Sequence, residues 1–402
     1  METGPVTEMA RGLKLWVPRW SRTAFPVQLI DSARAEFSLS GTPFAAGGEF
    51  TVGCEEELLL VDDENRLLDA GSGELIETVQ AHPRAGGTVT KELFGAEIEF
   101  ATVVCQDAEE AGNCLADLRA SLCRAGGRAM AVGLHPAGEF GDARLTESPR
   151  YDAIGASFAG LLRTPTAALQ VHVGMPDAAT AITAYRGLRH RLALLRALAA
   201  GSPYWHGRDS GFASGRWAVI NSYPRGGVPP VVRSWEEYVA LNEAVAAAAE
   251  VRDYTHVWWD VRLQPRLGTI EVRVMDAQSS LRAAVGLTAL IQALARRAVE
   301  RPLAVDVPSE VLAENDFRAA RDGLDARIVD IDGTMRPVRE LAATALGEAR
   351  AVLASDGLEG SLEAIDQILA DEPEYTRQRR IHNEHGMAGL LADLTARTMR
   401  AR

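Results

Sequence analysis

The 402-residue sequence has few cysteines, almost no lysine and no long apolar run. Four cysteines without a CxxC pair are too few for a disulfide framework, so we expect a reducing, cytoplasmic setting. No apolar stretch approaches the roughly 20 residues of a membrane-spanning helix, and residues 1–30 lack the continuous apolar core of a secretory signal. The 55 acidic residues against 42 basic ones disfavour nucleic-acid binding. We therefore expect neither nucleic acid nor membrane as a partner.

Lysine occurs only at Lys14 and Lys91, so nearly all basic residues are arginine. Any phosphate-binding chemistry must then rely on guanidinium groups, metal ions or backbone amides. The sequence also lacks the phosphate-binding patterns GxxxxGK[ST] and GxGxxG and the nucleophile pattern GxSxG. These absences exclude the commonest nucleotide-binding loops and a serine-hydrolase elbow.

Hydrophobic periodicity predicts an α+β protein with an antiparallel sheet and helices packed on one side. Residues 1–48 are interpreted as a poorly ordered extension with a short helix near Ser32–Phe37, and residues 49–402 as a single domain with a helical C-terminal third. Strands are predicted at Phe50–Val61, Glu92–Val103, Ala131–Phe140, Leu169–Met175, His256–Leu263 and Thr269–Met275. Helices are predicted from the N-cap Asp107 to about Met130, from the N-cap Asp177, and over Trp235–Ala249. The long segment Gly201–Pro230 is typical of a functional loop.

Five predicted strands share one pattern, with charged or amide side chains on one face and apolar side chains on the other, because residues two apart face the same way. The polar faces carry Glu55 and Glu57, Glu97 and Glu99, Gln170 and His172, Asp260 and Arg262, and Glu271 and Arg273. A solvent-exposed face would alternate in the same way. Such a face normally mixes in lysine, serine and threonine, however, and Trp258 beside Asp260 is unusual on a bare surface. The pattern favours a functional site.

Neighbouring strands would bring five acids together: Glu55, Glu57, Glu97, Glu99 and Glu271. Two carboxylates about 4 Å apart repel by roughly 4 kcal/mol at an effective dielectric of 20, so cations are needed to hold such a cluster. Oxygen ligands with at most one imidazole favour Mg²⁺ or Mn²⁺ over structural zinc. Arg262 and Arg273 would bind a second anion, since the guanidinium fork suits phosphate. Carboxylates that bind divalent cations together with arginines that bind phosphate are typical of enzymes that transfer phosphoryl groups.

Five motifs in order resemble the type 2 glutamate–cysteine ligases, also called carboxylate–amine ligases. They lie at Phe50–Leu58, Glu92–Thr102, Val171–Asp177, Ser202–Ser214 and Trp258–Asp276, with a weaker match from Asn315 to Leu324. The resemblance covers about residues 50–400. It implies a glutamine-synthetase-like fold, in which a curved antiparallel sheet encloses the active site and helices pack on its outer side.

The resemblance also implies ATP-dependent amide formation. In this reaction ATP phosphorylates a carboxylate, typically the γ-carboxylate of glutamate, and an amine, typically that of cysteine, attacks the acyl phosphate. The default products are therefore γ-glutamylcysteine, ADP and phosphate. Three alternatives remain. The same chemistry could act on a different amine acceptor, or the protein could be a regulatory one that binds metal and nucleotide without turnover. A metal-dependent hydrolase is disfavoured, because it would have little use for the phosphate-directed arginines.

Individual roles follow from the same resemblance. The implied metal ligands are Glu55, Glu57, Glu99 and Glu271, and Gln170 stands where many members have a histidine and would bind a metal through its amide oxygen. Arg273 is expected to face the transferred phosphoryl group, with Arg262 assisting. The remaining predicted contacts to ATP or substrate are Arg208, Arg216, Asp260 and His172. The helical C-terminal third is expected to offer a homodimer interface.

Overall fold

A computed structural model describes residues 39–68, 72–82, 86–251 and 254–400. The strands are β1 (Val52–Leu60), β2 (Gly87–Lys91), β3 (Glu97–Thr102), β4 (Ala129–Met130), β5 (Ala168–Gly174), β6 (Tyr204–Trp205), β7 (Arg208–Asp209), β8 (Gly226–Gly227), β9 (Trp258–Trp259), β10 (Val261–Gln264), β11 (Thr269–Asp276), β12 (Arg327–Val329) and β13 (Met335–Pro337). The helices are α1 (Ser72–Ala81), α2 (Ala108–Arg124), α3 (Pro149–Phe158), α4 (Ala178–Ala199), α5 (Arg216–Ile220), α6 (Trp235–Ala248), α7 (Leu281–Glu300), α8 (Ser309–Asp322), α9 (Val338–Leu353), α10 (Glu363–Ala370) and α11 (Glu374–Thr398).

A seven-stranded sheet forms the centre of the molecule, in the order β10-β11-β5-β1-β3-β2, with β4 also paired to β1. Every pairing in this sheet is antiparallel. The apolar face of the sheet packs against α2, α4 and α7. Because the apolar residues of β1, β5 and β11 alternate with polar ones, this packing leaves the polar residues together on the opposite face. The architecture agrees with the predicted α+β class.

The predicted N-caps are confirmed. Asp107 accepts a hydrogen bond from the backbone N–H of Glu110 at 2.9 Å, and Asp177 accepts one from Thr180 at 2.7 Å. The helix after Asp107 ends at Arg124 rather than near Met130, because Gly126 adopts a left-handed conformation with φ of 77°.

Three predicted strands differ from the structure. The strand predicted over His256–Leu263 is interrupted at Asp260, because Trp258–Trp259 (β9) pairs in parallel with β8 and the strand of the central sheet begins at Val261. Over Ala131–Phe140, only the preceding Ala129–Met130 pairs with the sheet, since the chain then passes through Gly133 and Pro136 without regular pairing. The predicted strand Glu92–Val103 begins at Glu97, because a turn around Gly95 separates it from β2. Glu92 therefore lies in a connection, where strand alternation says nothing about its orientation.

The predicted helix at Ser32–Phe37 lies outside the described residues. Residues 39–48, placed in the N-terminal extension by the sequence, pack on the domain. The backbone N–H of Ala45 donates to Pro265 at 2.8 Å, and that of Gly47 donates to Met175 at 2.9 Å. Within the described ranges, no helix combines the length and apolar character needed to cross a bilayer.

A buried ion pair anchors β1 on the helical side of the sheet. Arg119 of α2 donates to both carboxylate oxygens of Glu56, at 2.9 and 2.5 Å. The same guanidinium donates to the carbonyls of Gln278 at 2.8 Å and Thr398 at 3.1 Å. One arginine thus joins the central strand to the start of α7 and the end of α11.

Candidate active site

The register of the sheet aligns the polar residues across neighbouring strands. His172 of β5 lies opposite Glu271 of β11 on one side and opposite Gly53 of β1 on the other. The next row places Gln170 opposite Glu55. The row after that places Glu57 of β1 directly opposite Glu99 of β3. Residues more than 200 positions apart in the sequence therefore meet on one face.

Glu55, His172 and Glu271 form a first cluster, with ligand atoms within 4.8 Å of one another. His172 Nε2 lies 3.2 Å from Glu55 Oε1, and His172 Nδ1 lies 2.9 Å from Thr269 Oγ1. Nε2 is buried and forms no hydrogen bond with any described residue. A tautomer in which Nδ1–H donates to Thr269 leaves a lone pair on Nε2 facing the carboxylates, which suits a divalent cation.

Opposite charges control ionisation in the first cluster. Burial opposes ionisation of Glu271, but Arg262 and Arg273 outweigh it and hold the pKa of Glu271 well below its usual value. Burial likewise opposes ionisation of Glu55 and His172, and their mutual contact lowers the pKa of Glu55 and raises that of His172. Both carboxylates are therefore ionised at neutral pH.

Glu57, Glu92 and Glu99 form a second cluster, again with carboxylate oxygens within 4.8 Å of one another. Burial raises the pKa of Glu57 to about 7, and burial with neighbouring acids raises that of Glu99 well above its usual value. Burial also raises the pKa of Glu92, which accepts a 2.7 Å hydrogen bond from the hydroxyl of Tyr151. A cation here would relieve the repulsion, so oxygen-only ligands again fit Mg²⁺ or Mn²⁺.

Arg273 lies between the two clusters, at an irregularity in β11. The register with β5 shifts between Val272 and Met275, so this stretch of β11 is one residue longer than the strand opposite. Such a bulge re-aims the side chains within it. Arg273 Nη1 donates to Gln170 Oε1 and to Glu271 Oε1.

Gln170 links Arg273 to the second cluster. Its amide nitrogen donates to Glu57 Oε1 at 2.5 Å, while its amide oxygen accepts from Arg273. The amide oxygen is therefore directed at a guanidinium. The role of Gln170 as a metal ligand stays a prediction.

Arg262 and Asp260 have partners that hold them beside the clusters. Arg262 donates to Glu271 through Nε at 2.5 Å and Nη2 at 3.2 Å, and to the carbonyl of Val257 at 3.0 Å. Asp260 accepts from Arg196 Nη2 at 3.0 Å, and burial raises its pKa to about 6. In this structure Arg262 thus positions Glu271, and its predicted assistance to the phosphoryl group is untested.

A cavity of about 230 Å³ opens beside Arg273 on the polar face. Its charged lining comprises Glu57, Glu92, Glu97, Arg150, Arg216, Asp260 and Arg273. The rest of its wall is formed largely by apolar and aromatic side chains: Leu93, Phe94, Tyr151, Ile154, Leu162, Ile220, Tyr223 and Trp258. The cavity thus brings Arg216 and Asp260 to the clusters. Arg208, by contrast, is exposed in the β6–β7 hairpin and does not line it.

Sequence reasoning missed Glu92 as a member of the second cluster, although it opens one of the recognised motifs. The position of Glu97 also differs from expectation, because this carboxylate lies in neither cluster. It accepts hydrogen bonds from the backbone N–H groups of Phe94 at 3.0 Å and Thr166 at 2.9 Å, and so fixes the turn that carries Glu92.

Comparison with known proteins connects this geometry to a family. The sequence profile of glutamate–cysteine ligase family 2 matches residues 51–395. The chain belongs to that family. The chain is similar to a protein of Rubrobacter xylanophilus with the provisional name glutamate–cysteine ligase 2-1, which is 35% identical over 350 residues, 84% of this chain and 91% of the relative. A glutamate–cysteine ligase 2 of Gloeobacter violaceus, also provisionally named, is 34% identical over 367 residues, 88% of this chain and 98% of the relative.

Solved structures agree with family 2 membership at the level of the fold. A glutamate–cysteine ligase of Francisella tularensis, crystallised with AMP, superposes with a TM-score of 0.67 over 89% of each chain at 11% identity. A bifunctional glutathione synthetase of Pasteurella multocida gives a TM-score of 0.63 at 14% identity, over 87% of this chain and 52% of its own. The predicted glutamine-synthetase-like fold and the predicted class, an ATP-dependent carboxylate–amine ligase, are confirmed.

Proposed function

We propose that this family 2 ligase joins the γ-carboxylate of glutamate to an amine at the expense of ATP, with cysteine as the default acceptor. The observation that carries the proposal is the position of Arg273 between two carboxylate clusters and at the wall of a cavity. Phosphoryl transfer needs cations on both sides of the migrating group and a cavity for the carboxylate that receives it.

The two clusters fit Mg²⁺ or Mn²⁺, and on this proposal their members are the metal ligands. Glu55, His172 and Glu271 would hold one ion, and Glu57, Glu92 and Glu99 would hold another. Bound divalent ions would supply neutralising charge for the phosphates of ATP. The buried Nε2 of His172, which faces the Glu55 carboxylate without a hydrogen bond, supports a cation in the first cluster, so we assign His172 to metal binding as well as to nucleotide or substrate binding.

The protein's own side chains orient the reactants. Arg273 is fixed by Gln170 and Glu271 and would hold the phosphoryl group as it moves from ATP to the γ-carboxylate oxygen. Attack of the amine on the resulting acyl phosphate forms the C–N bond, breaks the C–O bond and releases phosphate. Arg216 and Asp260 line the cavity and would contact the amino-acid substrates, whereas the exposed Arg208 would act only at its outer rim.

The experiment that tests the proposal is a coupled ADP-release assay on the purified protein with Mg²⁺ or Mn²⁺, ATP, glutamate and one amine at a time. We expect ADP release to require both glutamate and an amine, and mass spectrometry to detect the γ-glutamyl amide. ATP hydrolysis that is indifferent to both would contradict the proposal.

Arg273→Lys is the matched variant for this assay. Lysine keeps the positive charge but lacks the fork that reaches Gln170 and Glu271 together, so we expect kcat to fall about 100-fold or more. Near wild-type turnover in this variant would remove Arg273 from the reaction centre.

A further inference from the structure

Glu92 of the second cluster is held in place by a segment from much later in the chain. Its carboxylate accepts a 2.7 Å hydrogen bond from the hydroxyl of Tyr151, which follows 59 residues later. Its backbone carbonyl accepts a 2.5 Å hydrogen bond from Thr146 Oγ1, and the backbone N–H of Thr146 donates to the carbonyl of Leu93 at 2.9 Å. The main chain and the side chain of Glu92 are therefore both fixed by residues 146–151.

Residues 146–158, here called the clamp segment, run from these contacts through α3. Three of its side chains line the cavity: Arg150, Tyr151 and Ile154. At its end, Phe158 packs against Tyr223 and Trp258, at 5.2 and 5.5 Å between ring centroids. The clamp segment thus forms part of the cavity wall and also carries the hydrogen-bond donor to Glu92.

Glu92 needs such a contact more than the other two members of its cluster do. Glu57 and Glu99 lie directly opposite each other on β1 and β3, where the pleat sets the direction of each side chain. Glu92 lies in the connection between β2 and β3, so the pleat does not direct its carboxylate. The hydrogen bond from Tyr151 supplies that direction. Hydrogen-bonded partners of metal ligands act in this way, since they orient the ligand for the ion.

Resting on the cation sites of the proposed function, we propose that Tyr151 is a positioning residue for the second cation and that the clamp segment and this cation site form together. Tyr151 holds one carboxylate oxygen of Glu92, and the other oxygen stays available to a divalent ion beside Glu57 and Glu99. The first cluster is built from β1, β5 and β11, so its affinity for cations should not depend on the clamp segment. Coupling between two sites is reciprocal, so a cation in the second cluster should in turn stabilise the clamp segment.

Mn²⁺ titrations of the purified protein, followed by the electron paramagnetic resonance signal of the free ion, test each site separately. In a Glu55→Gln background, which disables the first cluster, Tyr151→Phe should weaken the remaining Mn²⁺ site at least tenfold, because a metal ligand has lost its hydrogen-bonded partner. In a Glu57→Gln background, which disables the second cluster, the same substitution should leave the Mn²⁺ affinity unchanged.

Tyr185→Phe is the matched control. The hydroxyl of the buried Tyr185 of α4 donates to the carbonyl of Pro230, also at 2.7 Å, and Tyr185 belongs to neither carboxylate cluster. This variant loses a hydrogen bond of the same kind and should keep wild-type affinity at both Mn²⁺ sites. Equal weakening by Tyr185→Phe and Tyr151→Phe would assign the loss to general destabilisation and overturn the inference.

Hydrogen–deuterium exchange measures the reciprocal effect. Mn²⁺ should slow amide exchange in the clamp segment of the wild-type protein, and should not do so in Tyr151→Phe or Glu57→Gln. Exchange in residues 146–158 that is indifferent to Mn²⁺ in the wild type overturns the coupling between the cation site and the clamp segment.

The outcomes separate this inference from the proposed function. An unchanged Mn²⁺ affinity of the second cluster in Tyr151→Phe overturns the inference and leaves the ligase function standing, because ADP release is measured independently. A wild-type protein that binds no Mn²⁺ contradicts the cation sites themselves, and with them both the inference and the proposed function.

Discussion

Two glutamates of the first cluster have different surroundings although both belong to one candidate metal site. The Glu55 side chain is 27% exposed and contacts His172. Glu271 is fully buried and accepts hydrogen bonds from Arg262, Arg273 and Gln264. Removal of charge at the two positions therefore has different consequences for stability.

Glu55→Gln is predicted to lower kcat for ADP release by about 100-fold or more, because one ligand charge at the phosphates is worth several kcal/mol. The thermal midpoint should fall less than in the Glu271 variant, since the Glu55 side chain is partly exposed and its contact is with a single histidine. Glu271→Gln should lose activity and also about 3 kcal/mol of unfolding free energy, because Arg262 is left buried without its charge partner. Scanning calorimetry with the ADP assay checks both, and a Glu55→Gln enzyme of normal activity would contradict the assignment.

Strand alternation predicted the residues of the clusters that lie within strands. Glu55, Glu57, Glu99 and Glu271 face one side because the pleat has a period of two, and a sequence shows that period directly. Glu92 could not be found in this way, because it lies in an irregular connection whose direction depends on the turn fixed by Glu97.

At the scale of elements, Asp276 at the end of β11 holds the segment that carries Arg216. Its carboxylate accepts hydrogen bonds from the backbone of Gly201 at 3.0 Å, from Ser202 Oγ at 2.7 Å and from Ser214 Oγ at 2.9 Å. The Asp276 carboxylate therefore holds the start of the functional loop predicted at Gly201–Pro230 in place. Short elements such as β6, β7 and α5 occur within this loop.

Asp276→Ala is predicted to lower the free energy of unfolding by about 3 kcal/mol, because three buried donors lose their acceptor. Urea unfolding with an unchanged m-value measures this loss. Asp322→Ala, which removes an exposed aspartate paired with Arg321, serves as the control and should change stability by less than about 0.5 kcal/mol. A loss at Asp276 no larger than that at Asp322 would mean that the loop does not depend on this carboxylate.

The sequence was less informative about where elements end. Helix starts were predicted because a side-chain cap is a local hydrogen bond, as at Asp107 and Asp177. The bulge at Arg273 was not predicted, because its register shift depends on pairing with β5, more than 95 residues away in sequence. The resemblance implied an antiparallel sheet but not the order of its strands, and strand order could not be derived from periodicity alone.

At the scale of the whole molecule, the clusters couple stability to pH and to divalent ions. Burial raises the folded-state pKa of Glu57 to about 7 and that of Asp260 to about 6, above the usual values near 4 to 4.5. The folded state thus binds protons more tightly than the unfolded chain. The contribution of these groups to stability is complete below the unfolded pKa and declines as pH rises through the folded one.

With a chelator present, the thermal midpoint is predicted to fall between pH 5 and pH 7, and the shift produced by Mg²⁺ or Mn²⁺ should grow over the same interval, because the cation binds the ionised carboxylates. Differential scanning fluorimetry at each pH measures both trends. Glu57→Gln should flatten the metal-free curve in this window. A metal-induced shift that is independent of pH would argue against a cation at the second cluster.

The ion pair between Arg119 and Glu56 fixes the register of the strand segment Glu55-Glu56-Glu57, which its sequence of three identical residues does not specify. Because the three residues are identical, a one-residue shift of the strand register would leave a glutamate at two of the three positions. Such a shift would move the glutamates of the polar face to the helical face, and the glutamate of the helical face to the polar face. The Arg119 guanidinium on the helical side donates only to Glu56, the middle glutamate, so it fixes the register that places Glu55 and Glu57 on the polar face. Design of chimaeras within this family should therefore transplant that arginine together with the strand.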